Sequence, residues 1–567
     1  MRYLQITLAG FLLGLCVASA SWATGGEGET ATETAVGQRG ILRVAFATFG
    51  RETFDPGSDS GVSQQQFMNQ IYDQLLDFAP DGSIGPGLAE AWSISPDGTL
   101  YTFKIRDDAE FHGGFGKVTP EDIRFSLIRR SGGPLGGSGA FRQLVEEITV
   151  VDENTLTIRL NKPAVSFLYE LAPHQSTNTM TLPKDYLLAD VGEMELNDLS
   201  DEAFEAEIGR QSGIVNERPI GSGPYAFKSR VLGDSVNFTA VESHWRNTPA
   251  FAELQFILVP EVATQVALIK SGDVDMIQVD ADSAADLRGN DIPIKSIPAS
   301  TAVGWMFTGV ARDVAKDEPI ANRRVRYALN LAINRQELLD VFAGGFGSLP
   351  DAPYSMNAAT ADVDPAFWKN WYAETLPYDP ERAKEILAEE GYPEGFSDFT
   401  AHAFPRGNAP WLPQLIEAVV GGWAEIGVHA EVVPIDYGAY RPHLVNPDDN
   451  DPFNAGDAAG MATNMQFDPP RSMFVWFEST GPLRMFLDND TRFDELWAQV
   501  DTTFDKAERT RLVQEASLIA LEQWVVTPLF NTDTLWALNP ETIDASSWTA
   551  VTGYPYLARV YETIRPR

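Results

Sequence analysis

The side chains in this chain that are able to bind a metal or act as a nucleophile are few and scattered. The six histidines are His112, His174, His244, His402, His429 and His443. No two of them lie four residues apart, the spacing that places two imidazoles on one helix face for zinc. We therefore expect packing or surface histidines and no metal site.

Motifs of covalent and phosphate-binding enzymes are also missing from the sequence. Residues 221–223 (GSG) lack the outer spacing of a serine-hydrolase elbow, and no phosphate-binding glycine loop occurs. Residues 449–451 and 488–490 begin like calcium loops, but Phe453 and Arg492 stand where an oxygen ligand is needed. We predict no catalytic residue, no metal ligand and no cofactor.

Carboxylates leave one catalytic alternative open. The chain has 80 Asp and Glu residues, so pairs suited to glycoside hydrolysis occur easily by chance, and spacing in the sequence does not exclude one. A secreted hydrolase acting on glycans is therefore the alternative from a different functional class.

The N-terminus predicts export. Arg2 is the only charge before Glu27, and residues 6–18 form an apolar run that is followed by SASWAT. This is the pattern of a secretory signal peptide, and the run is shorter than the roughly 20 apolar residues that cross a membrane. We predict a signal peptide at residues 1–23, cut after Ala20 or Ala23, and a periplasmic protein.

The only cysteine, Cys16, lies within that apolar run. Leu15 directly precedes it, where a lipoprotein signal requires a small residue, so we expect no lipid anchor. Removal of the signal peptide would leave a chain without a thiol or a disulfide. Such a chain is held by core burial alone, and thiol catalysis is excluded.

Composition describes a large globular protein with an acidic surface. The chain has 567 residues, 44% of them hydrophobic, which is enough for two or more lobes. Its 42 basic residues against 80 acidic ones give a net charge of −38. Such a surface repels phosphates and anionic membranes, so we predict no nucleic-acid partner and no membrane insertion.

Helices alternate with strands along the chain. Residues 24–40 lack apolar periodicity and predict a disordered leader, and the first strand begins at Ile41. The turn at residues 95–98 (SPDG) predicts a hairpin, Thr119 predicts a helix start, and residues 323–342 have helical spacing of apolar side chains. The alternation predicts an α/β fold with mixed sheets.

Several segments, taken in order, resemble a known family. The longest are IYDQLLDFAPDGSIGPGLAEAWSISPDGTLYTFKIRDDAEFHGG and VTPEDIRFSLIRR, and IGSGPYAF, PEVATQVALIKSGDVDM, RRVRYALNLAINRQELL and YDPERAKEILAEEGYP follow them. Together they resemble the extracellular solute-binding proteins of family 5, the peptide/nickel-type receptors of ABC importers. The resemblance extends from about Ile41 to the C-terminus.

This resemblance implies a two-lobed periplasmic binding protein fold with mixed sheets, a hinge and an extra small β-rich domain. The first lobe would comprise residues 41–75, 218–300 and 525–567, the β-rich domain residues 76–217, and the second lobe residues 301–524. Closure about the hinge would bury the ligand. ATP would be hydrolysed on other subunits, so the resemblance implies no enzyme activity here.

The resemblance also implies a position for a ligand ammonium. Peptide-binding members carry an Asp a few residues before an acidic-Pro step, and residues 461–470 (MATNMQFDPP) resemble that stretch, with Asp468 as the acidic residue. Asn464 or Met465 occupies the position of the Asp. A neutral residue loses a charge-assisted hydrogen bond, so simple di- and tripeptides are not expected to bind well unless Asp457 or Asp468 substitutes.

Further ligand contacts follow from the same resemblance. Arg406, in FPRGNAP, resembles an Arg that binds a ligand carboxylate, for which a guanidinium fork is suited. Trp305 and Met306 lie where a strand passes the cleft, and Phe49 and Glu52 lie in the loop after the first strand. A surface arginine and core aromatics are the alternative interpretations.

The function implied is that of a monomeric periplasmic receptor that captures a peptide or peptide-like solute. It would deliver this solute to the permease subunits of an ABC importer and their ATPases. Within the receptor class, an oligosaccharide, an opine-like conjugate, haem or a nickel chelate remains an alternative ligand.

Overall fold

A computed structural model describes most of the chain after residue 39. The described residues are 40–57, 62–79, 83–131, 141–173, 179–310, 315–358, 362–406, 409–445, 453, 456–483, 485, 491–550 and 560–567. The predicted signal peptide with Cys16, the predicted leader up to residue 39, His174 and the two acidic runs lie outside these residues.

Strands occur from the first described residues to the last. They are β1 (Ile41–Phe46), β2 (Leu76–Phe78), β3 (Ile84–Pro86), β4 (Ala89–Ile94), β5 (Leu100–Ile105), β6 (Val145–Asp152), β7 (Thr155–Leu160), β8 (Tyr225–Val231), β9 (Ser235–Ala240), β10 (Glu253–Leu258), β11 (Met276–Val279), β12 (Ile294–Thr308), β13 (Gly347–Ser348), β14 (Phe396–Ala403), β15 (Val428–Pro434), β16 (Asp457–Asn464), β17 (Val526–Leu538), β18 (Ile543–Asp544) and β19 (Arg565–Pro566).

Helices separate most of these strands. They are α1 (Val62–Ile71), α2 (Pro120–Ser131), α3 (Phe167–Glu170), α4 (Lys184–Leu188), α5 (Asp201–Glu217), α6 (Val262–Ser271), α7 (Ala281–Arg288), α8 (Arg323–Leu331), α9 (Arg335–Ala343), α10 (Pro365–Thr375), α11 (Pro380–Glu389), α12 (Leu412–Ala424), α13 (Tyr437–Leu444), α14 (Pro469–Trp476), α15 (Thr491–Thr502), α16 (Lys506–Leu521) and α17 (Val560–Thr563). None of the described helices is both long enough and apolar enough to cross a membrane.

Local sequence signals account for several boundaries. Thr119 and Asp122 exchange hydrogen bonds at the start of α2, with Thr119 N–H to Asp122 Oδ2 at 2.9 Å, and Gly272 ends α6 with φ +81°. The helical pattern at residues 323–342 is interrupted, because Asn334 caps a second helix by accepting from the N–H of Glu337. α8 and α9 are therefore two helices where the periodicity predicts one.

One large mixed sheet runs through the molecule. Its strand order is β15-β14-β16-β12-β17-β11-β1-β10-β9-β8, with β13 beside β17. We call β8, β9, β10, β1 and β11 the first half of the sheet, and β16, β14 and β15 the second half. β12 and β17 lie between the halves and pair with each other, while β12 also pairs with β16 and β17 with β11, so the halves are joined through two long antiparallel strands.

A separate four-stranded antiparallel sheet has the order β4-β5-β7-β6. It includes the predicted hairpin at residues 95–98, which the structure confirms as the turn between β4 and β5. Its inward side chains, among them Tyr101, Phe103 and Leu156, form a core of their own. The two halves of the large sheet also have distinct main cores, so burial is divided among several centres.

A buried charge cluster lies where the small sheet joins the first half. The guanidinium of Arg246 is 3.1 Å from Asp73, 3.4 Å from Asp77 and 2.7 Å from Glu562. Burial raises the pKa of Asp73, but His244 and Arg246 outweigh it and hold that pKa below its ordinary value. Burial dominates at Asp77 and raises its pKa to about 7.

Candidate ligand-binding site

The pairing of the two connecting strands is irregular at two places, of which the one between Val303 and Gly304 is the smaller. The β12–β17 register shifts between Ile297 and Thr301, and Ala299 has φ +46°. Asp533 on β17 stabilises this conformation, because its carboxylate accepts a 3.0 Å hydrogen bond from the N–H of Ala299. Ser300 lies beside it, with its hydroxyl 2.7 Å from that of Thr534. A bulge with unusual backbone geometry at the only described crossing between the halves is suited to act as a hinge.

The loop after β1 lies at the edge of the sheet that faces this crossing. β1 is parallel to β10 and β11, so their carboxyl ends share one edge, and β11 ends where Val279 pairs with Leu535, close to the bulge. Ligands of open α/β sheets bind outside the carboxyl ends of such strands. The loop that contains Phe49 and Glu52 is therefore placed beside the candidate cleft.

Phe49 and Glu52 have different surroundings. Phe49 is 2% exposed and packs edge-on against Phe67 at 5.0 Å, so it belongs to the core beneath the loop. Glu52 is partly exposed and has φ +50°, a conformation that non-glycine residues rarely adopt. Its carbonyl accepts from Arg230 at 2.6 Å and its carboxylate from the N–H of Gly233 at 3.0 Å. Backbone strain of this kind is concentrated at functional loops.

The same loop is fixed from the other side by a buried ion pair. Asp55 accepts hydrogen bonds of 2.7 and 3.0 Å from Arg129, and both side chains are almost fully buried. Burial raises the pKa of Asp55. The charge and hydrogen bonds of the adjacent Arg129 lower it, and their effect prevails, so the pKa lies below its ordinary value. Asn216 accepts from the N–H of Phe54 at 2.8 Å. The loop is therefore held in a single conformation.

Trp305 and Met306 lie inside the second half of the sheet. Both are fully buried on β12, and Trp305 packs edge-on against Trp423 at 4.9 Å. The indole N–H of Trp305 has no acceptor among the described residues. The two residues thus support the strand that leads into the bulge, in a packed core and not on an open surface.

Asn464 and Met465 lie directly beside the bulge. Asn464 ends β16 opposite Thr301, and the N–H of Met465 donates to the carbonyl of Ser300 at 3.1 Å. The next residue donates from its N–H to Ser355 at 2.7 Å, and Ser355 has φ +62°. The segment that resembles the ammonium site is therefore attached to the hinge itself.

The two carboxylates proposed as substitutes for the missing Asp have roles in the fold. Asp468 is 2% exposed and caps α14 by accepting from the N–H of Arg471. Burial, reinforced by Asp501, raises its pKa well above the ordinary value. Asp457 lies 3.1 Å from the ring of His402. Neither carboxylate is therefore a free anion poised for a ligand amine.

Arg406 is partly buried and follows β14 in the chain. Its guanidinium lies over the ring of Tyr437 at 4.0 Å, and its backbone pairs with Ala409. No carboxylate of the described residues lies within ion-pair distance of it. A guanidinium stacked on an aromatic ring and free of an acidic partner in the described part of the chain is suited to bind an anion.

Sequence reasoning did not identify the bulge at Ala299, the strained Ser355 or the Asp55–Arg129 pair. These features depend on contacts between residues 74 to 234 positions apart, and no local pattern marks them.

A cavity of about 600 Å³ between α2, β6 and α5 is lined by Arg124, Phe141 and Phe204 among others. None of the predicted site residues lines that cavity.

Comparison with known proteins adds independent information. The family model of the bacterial extracellular solute-binding proteins, family 5 Middle, matches residues 83–482. Heme-binding protein A of Haemophilus influenzae is 28% identical over 490 residues, 82% of each chain. The dipeptide-binding protein of Escherichia coli is 25% identical over 417 residues, 68% of this chain and 71% of the relative.

The fold has close counterparts among solved structures. HbpA2 from Haemophilus parasuis superimposes with a TM-score of 0.74 at 22% identity, over 93% of this chain and all of that one. This match confirms the predicted fold class, an α/β two-lobed binding protein with a large mixed sheet.

Proposed function

The chain belongs to family 5 of the bacterial extracellular solute-binding proteins, and we propose on that premise that it is the periplasmic receptor of an ABC importer. It captures a peptide or peptide-like solute between two lobes and delivers it to the membrane permease. The curated relatives are binding proteins, for haem in one case and for dipeptides in the other.

The observation that carries this proposal is the two-strand connection between the halves of the large sheet. Two antiparallel strands whose pairing is interrupted at two places allow the halves to rotate as rigid bodies while their cores stay intact. Of the candidate ligand residues, Asn464 and Met465 adjoin this connection, next to Thr301 and Ser300, and we propose that the segments with Glu52 and Arg406 face the same cleft. Rotation about it would close these segments on a solute.

The proposed domain division follows the same connection. The first lobe comprises residues 41–75, 218–300 and 525–567, the β-rich domain residues 76–217, and the second lobe residues 301–524. The separate main cores of the two sheet halves support this division, but several side chains of residues 76–217, from Phe125 to Val215, pack into the core of the first half. Val525, Val526, Leu529 and Phe530, at the start of the last first-lobe segment, pack into the core of the second half. We propose a monomer that interacts only with its solute and with the permease.

A receptor of this kind needs no catalytic residue, because transport is driven by ATP hydrolysis on other subunits. We therefore propose that the chain is not an enzyme. The predicted signal peptide at residues 1–23 would bring it to the periplasm.

The chemistry of the candidate site narrows the solute. A side chain without charge, Asn464 or Met465, occupies the position at which peptide-binding members hold an ammonium, and Asp457 and Asp468 have partners within the fold. Arg406 offers a cation to a carboxylate. We propose a peptide-like solute that carries a carboxylate and has no free ammonium at the hinge segment.

Thermal denaturation against paired ligands tests this proposal. The mature protein, unfolded and refolded to remove carried solute, is melted with Ala-Ala-Ala and with N-acetyl-Ala-Ala-Ala, and with sugars, haem and nickel-histidine as further arms. A ligand that binds only the folded state raises the melting temperature. We expect the acetylated peptide to give the larger shift and Arg406→Gln to reduce it, with Arg511→Gln as the matched surface control.

Two results would contradict the proposal at different levels. Micromolar binding of free Ala-Ala-Ala would show that the ammonium position is misplaced, while leaving the receptor function intact. Turnover of a glycan, abolished by replacing one carboxylate, would replace the receptor function with hydrolysis.

A further inference from the structure

The β-rich domain and the second lobe are not consecutive in the chain. The β-rich domain (76–217) is flanked on both sides by segments of the first lobe, and so is the second lobe (301–524). Any contact between these two parts therefore depends on their arrangement in space and not on a covalent link between them. The structure nevertheless contains several such contacts.

The strongest of them surrounds Asp501, near the end of α15. Its carboxylate accepts from the hydroxyl of Ser166 at 2.6 Å and from the N–H of Ser166 at 3.2 Å. Its carbonyl accepts from the N–H of Val165 at 2.7 Å. Three hydrogen bonds thus converge on one residue across a sequence separation of 335 positions.

Apolar and charged contacts extend this interface. Phe467 of the second lobe is buried in the core of the β-rich domain, with its ring 4.7 Å from that of Phe78. The guanidinium of Arg471 lies 3.4 Å from the carboxylate of Glu170, and that of Arg130 lies 2.7 Å from the same carboxylate. The interface therefore combines a buried ring, an ion pair and a hydrogen-bond cluster.

The opposite side of the β-rich domain is fixed to the first lobe. Arg129 forms the buried bidentate pair with Asp55, and Arg246 connects Asp77 with Glu562. Separating Arg129 from Asp55 would leave buried charges without their counter-charges, which strongly destabilises a fold. The β-rich domain should therefore move with the first lobe, and any rotation at the β12–β17 bulge must break the contacts with the second lobe.

We propose that the β-rich domain is a clasp that stabilises the closed arrangement of the two lobes without contacting the solute. The clasp consists of Phe78, Ser166 and Glu170 on one side and Phe467, Asp501 and Arg471 on the other. These contacts stabilise the closed form in the absence of solute, so a fraction of the solute-free molecules is closed. This inference rests on the proposed domain division, and its test needs no solute.

Distance measurement between spin labels tests the clasp directly. The only cysteine in the chain, Cys16, is absent from protein produced without residues 1–23, so labels can be attached at Lys104→Cys and Glu381→Cys. Both positions are exposed, on the β-rich domain and the second lobe respectively. Pulsed electron paramagnetic resonance on refolded, solute-free protein then gives the populations of short and long distances.

The informative variant combines Ser166→Ala with Arg471→Gln, which removes polar links while leaving Asp468 and the buried rings unchanged. We expect its ratio of short to long distances to fall at least about fivefold below that of the parent, because contacts of the closed form alone are lost. The matched control, Ser271→Ala with Arg511→Gln, removes a surface hydroxyl and an exposed ion pair and should leave the ratio unchanged.

Identical distance distributions in the parent, the variant and the control would overturn the clasp. Ser166→Ala alone serves as a milder variant if the double variant does not give a cooperative melting transition, and the same comparison applies to it. Failure of every solute to bind would refute the proposed function without affecting this measurement, so the two outcomes are distinguishable.

Discussion

The guanidinium of Arg129, on α2, donates two hydrogen bonds, 2.7 and 3.0 Å long, to the carboxylate of Asp55 in the loop after β1. The pair connects α2 with the candidate ligand loop over 74 positions of sequence. It fixes a loop that also contains the strained Glu52, and such support pre-organises a binding site.

Replacing Asp55 should therefore lower the free energy of unfolding. Asp55→Asn leaves the buried Arg129 without its counter-charge, and we expect the free energy of unfolding to fall by about 3–5 kcal/mol at pH 7. Because Arg129 holds the pKa of Asp55 below its ordinary value, the contribution is present above the unfolded pKa and lost as the pH falls through the folded one. Urea denaturation at pH 7 and pH 3 measures the difference.

The matched control for that comparison is Glu508→Gln, which breaks an exposed pair with Arg511 and should leave the free energy of unfolding nearly unchanged. An Asp55→Asn penalty that is equally large at pH 7 and pH 3 would show that charge pairing does not cause it.

A second pH effect should have the opposite sign at Asp77. Burial raises the folded pKa of Asp77 to about 7, so the folded state binds this proton more tightly than the unfolded state does. The group therefore destabilises the fold increasingly as the pH rises from about 4 to about 7. Asp77→Asn should raise the melting temperature at pH 8 and change it little at pH 4. The substitution retains an acceptor for the N–H of Phe78, 2.7 Å away.

Melting curves of Asp77→Asn and the parent across pH 4–8 test this. A variant that is less stable than the parent at pH 8 would mean that Arg246 outweighs burial at this carboxyl, contrary to the expectation.

Packing beside the hinge gives a third prediction. A Cβ at Gly304, on β12, would lie 2.3 Å from the ring of Tyr354, which is fully buried and hydrogen-bonded to Met461. We expect Gly304→Ala to lower the free energy of unfolding by about 1–3 kcal/mol. Gly460, opposite Trp305 on β16, is the matched control, since its Cβ would meet flexible side-chain ends at 3.1 Å or more. Equal losses for both alanine variants would contradict the steric explanation.

Much of the fold follows from local patterns in the sequence. The turn at residues 95–98 and the helix start at Thr119 are both confirmed, because backbone conformation there depends on near neighbours. The two-lobed architecture followed from the ordered family segments, and the fold comparison confirms it.

The hinge and the clasp were not predictable in the same way. Ala299 is not a glycine, and Pro298 before it does not specify a positive φ, so its conformation depends on Asp533, 234 positions away. Ser166 and Asp501 are ordinary polar residues until folding brings them to 2.6 Å. Periodicity finds elements and caps, whereas contacts between elements need the tertiary structure.

The uncharged residues at the proposed ammonium position give the last prediction. Met465 is 3% exposed and attached to Ser300 by its backbone, so Met465→Asp places a carboxylate beside the hinge without altering the main-chain bond. An unpaired buried carboxylate is costly, and we expect the solute-free variant to melt at a lower temperature than the parent. A ligand ammonium would compensate that charge, and a charge-assisted bond of about 1.5–3 kcal/mol should strengthen binding of free Ala-Ala-Ala by about tenfold or more.

Calorimetry with Ala-Ala-Ala and N-acetyl-Ala-Ala-Ala measures this gain, and only the free peptide should benefit. Asn464→Asp is the control that fixes the position, because Asn464 and Met465 are adjacent but only one of them occupies the place of the Asp. If Asn464→Asp strengthens binding of the free peptide and Met465→Asp does not, Asn464 and not Met465 occupies the place of the Asp. Equal affinity of both aspartate variants for both peptides would show that this segment does not bind the amine end of a solute, and the carboxylate contact at Arg406 would then be the remaining candidate for solute recognition.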